Sequence, residues 1–203
     1  MNSIRNVLLA GRSLWFKTRH PSLTHAFGVP SHLTDQERVV LYQRARSASC
    51  VAEIGSYVGA SACCFGAAAI ERGDAKIICI DTWNNEGMAE GVRDTWKEFT
   101  ANTEPYSRII RPVRGFSTSV VEVVRAITPT LDVLFIDGDH SYEGVKSDWE
   151  AYKGFLKAGS TVVFHDYGWA EGVRRVVHED VLPVVRFHAH LPNMWWGSLN
   201  TAP

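Results

Sequence analysis

The chain has 203 residues, with 21 Lys plus Arg against 22 Asp plus Glu and a formal charge of −1, a length that suits one well-buried domain and is short for two. So balanced a charge supplies no basic field for nucleic acid or an anionic membrane surface, which excludes both as expected partners and favours a small-molecule substrate. The cysteines Cys50, Cys63, Cys64 and Cys79 lie in or beside apolar segments without zinc-site or disulfide-framework spacing, and residues 1–19 hold only the short apolar group 7–10, neither a signal peptide nor a membrane span, so a cytoplasmic protein with reduced thiols is expected.

Residues 1–49 mix basic, aromatic and turn-forming side chains, with breakers at Pro21, Gly28 and Pro30. They read as a helical extension or lid over a core of residues 50–203, within a single domain covering 1–203. Thr34 followed by Glu37 is the pattern of a capping box, and it opens a helix through Val39, Val40, Leu41 and Ala45.

Residues 50–54 read as a short strand interrupted by Glu53, residues 55–59 as a glycine turn, and residues 60–72 as a helix of small residues. Strand, glycine turn and helix form a nucleotide-binding entry. A second strand over residues 76–80 ends in Asp81, roughly 20 residues on, where an acid meets a ribose hydroxyl in such folds. Gly55 and Gly59 let the backbone approach a ligand. Their spacing is not G-x-G-x-x-G, and Glu53 would repel a pyrophosphate, so the pocket suits a ligand that carries positive charge.

Residues 86–101 read as a helix, 109–114 as a strand broken by Pro112, and 117–127 as a helix with Val120, Val121, Val123 and Val124 towards the sheet. Residues 131–136 are a nearly continuous apolar run, as in strands covered on both faces. A helix over 142–156, closed by residues 157–159, leads to a buried strand at 161–164. A helix at 169–179 and two strands, 182–188 and 194–199, complete the chain. This order predicts an α/β fold, a Rossmann-like three-layer sandwich whose mostly parallel seven-stranded sheet ends in an antiparallel C-terminal hairpin.

The run Phe-Ile-Asp-Gly-Asp-His-Ser-Tyr at 135–142 places two carboxylates and an imidazole directly after a strand, and the strand at 161–164 ends in His165, Asp166 and Tyr167. Hard oxygen ligands converging from neighbouring strand ends are what Mg²⁺ or a similar divalent ion needs, so Asp137, Asp139, Asp166 and His165 are the metal candidates. His140 lies three residues after Asp137 and is placed to take a proton from a hydroxyl near neutral pH. Solvated charges at loop starts are the plainer alternative, and His165 could equally be an orienting or an ordinary strand-end residue. Ser117 reads as an adenine contact or as a simple helix cap. Trp15, Trp83, Trp169, Trp195 and Trp196 offer aromatic faces, which in most such cases serve the core; only Trp83, just beyond Asp81, has a position that suggests the cofactor pocket.

The run Val-Ala-Glu-Ile-Gly-Ser-Tyr-Val-Gly-Ala-Ser at 51–61 resembles motif I of class I S-adenosylmethionine methyltransferases, and is particularly similar to the metal-dependent catechol O-methyltransferase group. The second strand with Asp81, and the segments 135–143 and 164–167, resemble those of bacterial sugar and macrolide-sugar O-methyltransferases. The likeness covers about residues 50–168. It implies that Glu53, Gly55, Tyr57 and Ser61 surround the methionine part of S-adenosylmethionine and that Asp81 binds its ribose, with Ser56, Gly59, Trp83, Ser117 and Asp137 completing the cofactor site. It also implies that Asp137 and Asp166 are metal carboxylates and that His140 stands where catechol enzymes have a catalytic lysine and macrolide-sugar enzymes a histidine, which makes a sugar hydroxyl the preferred acceptor. The chain departs from the pattern at Tyr167, an asparagine ligand in the catechol group, and at His165, a glutamate in a macrolide-sugar relative, so Asp139 and His165 are the candidates for a third ligand.

The expectation is therefore an O-methyltransferase using S-adenosylmethionine and Mg²⁺ on a saccharide, with His140 as base; a mycobacterial-type methylmannose polysaccharide precursor is the narrowest acceptor and a homodimer the expected assembly. A catechol-type methyltransferase, a metal-dependent phosphoesterase and a non-catalytic nucleotide-binding protein are the alternatives. Residues 1–35 and the Trp-rich end, Trp195 and Trp196, are expected to build a lid and acceptor wall.

Overall fold

A computed structural model describes residues 15, 17–73, 75–84 and 91–203, leaving aside the side chain of residue 71. Seven strands, β1 (Cys50–Ile54), β2 (Lys76–Asp81), β3 (Ile110–Arg114), β4 (Leu131–Ile136), β5 (Leu156–His165), β6 (Val185–His190) and β7 (Met194–Leu199), form one sheet in the order β3-β2-β1-β4-β5-β7-β6. The pairs β1·β2, β1·β4, β2·β3 and β4·β5 are parallel, whereas β7 runs antiparallel to both β5 and β6. The expected α/β sandwich with a mostly parallel seven-stranded sheet and an antiparallel final pair is what forms.

The central strands have two apolar faces because both are covered. Val51, Ile77, Cys79 and Phe135 pack on one side against the helices α1 (Thr24–Gly28), α2 (Asp35–Ala45), α3 (Ala60–Arg72) and α4 (Trp96–Thr103). Their neighbours in sequence, Ala52, Ile78 and Leu134, face the other layer, which includes α5 (Val121–Ile127), α6 (Tyr142–Tyr152) and α7 (Glu171–Val176). The period of two places Glu53 on the first of these faces, beside Val51.

The capping box predicted at Thr34 is present: its hydroxyl accepts from Glu37 N at 3.3 Å and its own N–H donates to Glu37 Oε2 at 2.7 Å. From the same helix the buried Arg38 guanidinium donates to the carbonyls of Leu33 at 3.3 Å, Val29 at 2.9 Å and Ala26. It gathers residues 26–33 onto the core. Residues 1–14, to which the expected lid extends, lie outside the described residues.

Several element boundaries differ from the sequence expectation, each for a local reason. Helix α4 starts at Trp96, not residue 86, since Arg93 N and Thr95 N donate back to the carbonyls of Asn84 and Trp83; residues 85–90 lie outside the described ones. The helix expected from residue 117 is a 3₁₀ turn, Ser117–Ser119, then α5, and Val123 turns to solvent. Residues 157–159 do not close a helix: they belong to β5, where Ser160 Oγ accepts from Lys157 N and donates to Leu131 O across an irregularity in the β4·β5 register. Trp169 and Ala170 donate their N–H groups to the Asp166 carbonyl in a turn, so α7 begins at Glu171. Residues 182–184, with Pro183, form a 3₁₀ turn before β6. Among the described residues no helix is long and apolar enough to cross a membrane, and the four cysteines are free and buried.

Candidate active site

The strand order reverses at β1 and β4, and their carboxyl ends open onto a cavity of about 1070 Å³. A crevice at this switch point is where open α/β sheets bind ligands. Gly55 has φ of 86°, and a Cβ there would lie 2.0 Å from the Asp137 carbonyl oxygen, so the loops after β1 and β4 touch only because residue 55 has no side chain. Asp81 fixes the same turn: its Oδ2 accepts from Ser56 N at 2.7 Å and Tyr57 N at 2.8 Å, and its Oδ1 from Trp83 N at 2.6 Å. Among the described residues, Tyr57, Trp83 and Asp166 are the non-glycine ones with positive φ, and all three follow or close strands β1, β2 and β5. Backbone held in that region needs surrounding structure to keep it there.

Gly55, Ser56, Tyr57, Ser61 and Asp81 line one end of the cavity, and Ser117 and Asp137 also reach it. Gly59 and Trp83 do not. Gly59, at φ 92°, starts α3 and gives way to Thr103 and Phe99, while Trp83 is fully buried with ring centroids 4.7 Å from both Trp96 and Phe99. Trp83 is therefore a core side chain whose backbone, not its indole, serves the site. Trp195 is buried and Trp196 half-buried in β7 and neither lines the cavity, so the expected Trp-rich acceptor wall does not form; Ser31, His32 and Leu33, from the segment held by Arg38, do line it.

Glu53 lies behind this wall, wholly buried. Neither carboxylate oxygen has a hydrogen-bond partner of ordinary geometry, and the neighbouring Ser56 Oγ has none. Burial pushes the Glu53 carboxyl up to about 7, against the pull of Ser61, Ser56 and Cys79 close by. A buried acceptor without a donor costs stability.

Beside the Asp137–Gly138 loop Ser117 Oγ donates to Asp148 Oδ1, and burial raises that carboxyl to about 6 while Ser117 opposes the rise. Asp148 lines the cavity from α6. Nothing in the helical pattern of residues 142–152 marks it out; an acid on the inward face of an otherwise apolar stripe is the one available sign.

The charged cluster after β4 and β5 is compact. Asp137, His140 and Asp166 offer ligand atoms that all lie within 4.8 Å of one another. His140 Nε2 is 2.9 Å from Asp166 Oδ2, and this bond, more than burial opposing it, raises the imidazole above its ordinary value. His165 Nδ1 stands 3.1 Å from Asp137 Oδ1 and 3.3 Å from Asp166 Oδ2, with its Nε2 3.8 Å from Glu37 Oε2. Burial alone would lower His165, but Asp137, then Asp166 and Glu37, push it up to about 12. Burial would likewise raise Asp166, yet the bonds from His140, His165 and Asn193 hold it well below the usual carboxylate range. Burial lifts Asp137 above its ordinary value despite His165. Asp166 Oδ1 in turn accepts from Trp169 Nε1 at 2.7 Å and Asn193 Nδ2 at 2.9 Å.

This geometry separates the metal candidates. The Asp137 and Asp166 carboxylates converge beside His140, and carboxylate oxygens at this spread suit one divalent cation. Asp139 is exposed, and its Oδ1 accepts from Ser141 N at 2.7 Å at the start of α6. Asp137 and Asp166 both favour the protonated form of His165, and its Nδ1 lies within 3.3 Å of each carboxylate. Of the two expected third ligands, Asp139 turns to the helix start, whereas His165 touches both carboxylates. Glu37, Asn193 and Trp169 do join the site, although sequence reasoning gave them other roles or none.

A family model described as a methyltransferase domain matches residues 52–167, more than half of the chain. An uncharacterized protein of Sinorhizobium fredii is 30% identical over 119 residues, 57% of this chain and 13% of that protein. The chain thus spans only a small part of this relative's length. Among solved structures, the O-methyltransferase NovP aligns with a TM-score of 0.71 at 13% identity, over 84% of this chain and 82% of its own. CalS11, a TDP-rhamnose 3′-O-methyltransferase of calicheamicin biosynthesis, aligns with a TM-score of 0.58 at 18% identity, over 91% and 93%.

Proposed function

The chain belongs to the methyltransferase-domain family, and on that premise we propose that it moves the methyl group of S-adenosylmethionine to a hydroxyl oxygen of a small saccharide, with His140 as general base and a divalent cation assisting. The observation that carries the proposal is that one cavity is lined both by a glycine turn with the Glu53 carboxylate behind it and by the His140–Asp166 pair. Glu53 suits the ammonium of the methionine part, and the Asp148–Ser117 pair faces the cavity where a polar ring edge would lie. The sugar reading is supported by the likeness of residues 135–143 to sugar O-methyltransferases and by the shared fold of CalS11. Free, buried cysteines support a cytoplasmic location.

S-adenosylmethionine supplies an electrophilic methyl on a sulfonium; the acceptor oxygen bonds to that carbon while the carbon–sulfur bond breaks and its electron pair returns to sulfur. Asp166 holds the N–H of His140 Nε2, which leaves Nδ1 as the nitrogen that accepts the hydroxyl proton. Asp137 and Asp166 would hold the cation, whose contribution is Lewis-acid polarisation and orientation of the acceptor. His165, through one Nδ1 within 3.3 Å of both Asp137 and Asp166, holds the two carboxylates together and aims them.

The test is incubation of purified protein with S-adenosylmethionine and a panel of methyl mannoside, TDP-rhamnose and catechol, read by product mass with and without chelator. Methylated sugar that disappears in chelator and returns with Mg²⁺ or Mn²⁺ is expected. Methylated catechol alone would reject the sugar reading, and full turnover in chelator the cation.

A further inference from the structure

Trp169 is 60% exposed, yet it is not a loose surface residue. Its indole N–H donates to Asp166 Oδ1 at 2.7 Å and its backbone N–H to the Asp166 carbonyl at 3.2 Å. The turn that carries it is fixed from the far side: Gly168 N donates to Asn193 Oδ1 at 3.2 Å, and a Cβ at Gly168 would lie 2.1 Å from the Pro192 carbonyl oxygen. The ring lines the cavity beside His140, with centroids 5.0 Å apart and planes 64° to each other. The two rings make an angled corner.

A large aromatic face left bare in a concave site, with its rotamer already paid for by other bonds, is poised for a ligand. Phe187 and Val92 are exposed off the cavity wall; Phe116, 65% exposed, also lines the cavity, next to Ser117 in sequence, whereas Trp169 is the one whose ring meets His140. From this juxtaposition we infer that Trp169 is the acceptor platform, a fixed indole face on which a ring-shaped acceptor stacks so that a hydroxyl at the ring's edge meets His140. The acceptor class is a six-membered ring with one apolar face, a pyranose or an aromatic diol; long flexible alcohols have nothing flat to offer. The inference rests on the methyl-transfer reading for the reaction, but the stacking is a binding property of its own.

It is tested by saturation-transfer NMR on the protein with and without S-adenosylhomocysteine, using methyl mannoside, TDP-rhamnose and catechol as probes. Saturation is expected on the ring protons of at least one probe. Trp169→Ala should weaken that binding by about tenfold or more while leaving S-adenosylhomocysteine affinity within roughly twofold. Trp169→Phe keeps a flat face and loses the N–H to Asp166, so it should retain probe binding and, where the probe is methylated, lower kcat with little change in KM. Undiminished probe binding in Trp169→Ala, or no ring probe bound by the unaltered protein, overturns the platform. Ring binding without any methyl transfer instead overturns the proposed reaction and leaves the platform standing.

Discussion

His140 Nε2 lies 2.9 Å from Asp166 Oδ2, on a carboxylate whose other oxygen is taken by Trp169 and Asn193. Asp166 therefore raises the affinity of His140 for a proton as well as aiming its ring. In protein freed of divalent cation the His140 ring should therefore titrate by NMR above the ordinary imidazole value of about 6.5, and a cation held by Asp166 should lower it. Asp166→Asn should move that titration to lower pH and lower kcat/KM. His140→Ala should cost roughly 10² to 10⁴ in kcat with S-adenosylhomocysteine binding retained. A titration that does not shift in Asp166→Asn would separate the two residues functionally.

Glu53 yields a stability prediction with a definite sign. Its carboxyl rises from 4.5 to about 7 on folding because it is buried. The folded state then binds the proton more tightly than the unfolded one, so this group costs nothing below the ordinary carboxylate range, and stability falls as pH rises to about 7, by roughly 3 kcal/mol in all. Glu53→Gln removes that slope. The ligand-free variant should gain melting temperature over the parent at about pH 8 but not at about pH 5, and should bind S-adenosylhomocysteine more weakly. Melting curves at the two pH values and a calorimetric titration decide it; equal gains at both would place the charged form elsewhere.

Gly55→Ala would drive a methyl into the Asp137 carbonyl at a position with φ of 86°. Strain and overpacking together should cost about 3 kcal/mol or more, a fall of about 10 °C in melting temperature. Cofactor affinity should drop with it, since the turn and the Asp137 loop move apart. Gly154→Ala, where a Cβ has open space, is the matched control and should be nearly silent.

Arg38 tests the link from the N-terminal segment to the cavity. Its three carbonyl partners, Ala26, Val29 and Leu33, would be left without donors in Arg38→Leu, a loss on the order of 3 kcal/mol. Because Ser31, His32 and Leu33 line the cavity, acceptor KM should rise more than the cofactor dissociation constant. Equal effects on both would make the segment a general support.

Much of this was legible in residues that act through neighbours in sequence. The capping box at Thr34 and Glu37, the strand and glycine turn from Cys50 to Gly59, and the acids at strand ends were all readable because their patterns are local. What escaped depends on contacts between distant segments. Glu37 reaches His165 only after α2 packs on the sheet, and Asn193 reaches Asp166 only after β7 pairs with β5. Trp83 looked like a cofactor residue from its place after Asp81, but its positive φ turns the ring into Trp96 and Phe99. Trp169 looked like core, and the Asp166 turn holds it in the cavity instead.

The antiparallel pairing of β7 between β5 and β6 has a consequence for synthesis. On the ribosome, Asp137, His140 and Asp166 emerge long before Asn193, while the outer edge of β5 waits unpaired for a strand that follows β6 in the chain. Strand β6 cannot substitute, since its own partner is β7. A nascent chain therefore carries an open β5 edge, a liability for association with its neighbours on the polysome, until the β6–β7 hairpin arrives as a unit. Its arrival does two things in one event: it seals the edge and delivers the Asn193 amide that holds Asp166 beneath Trp169.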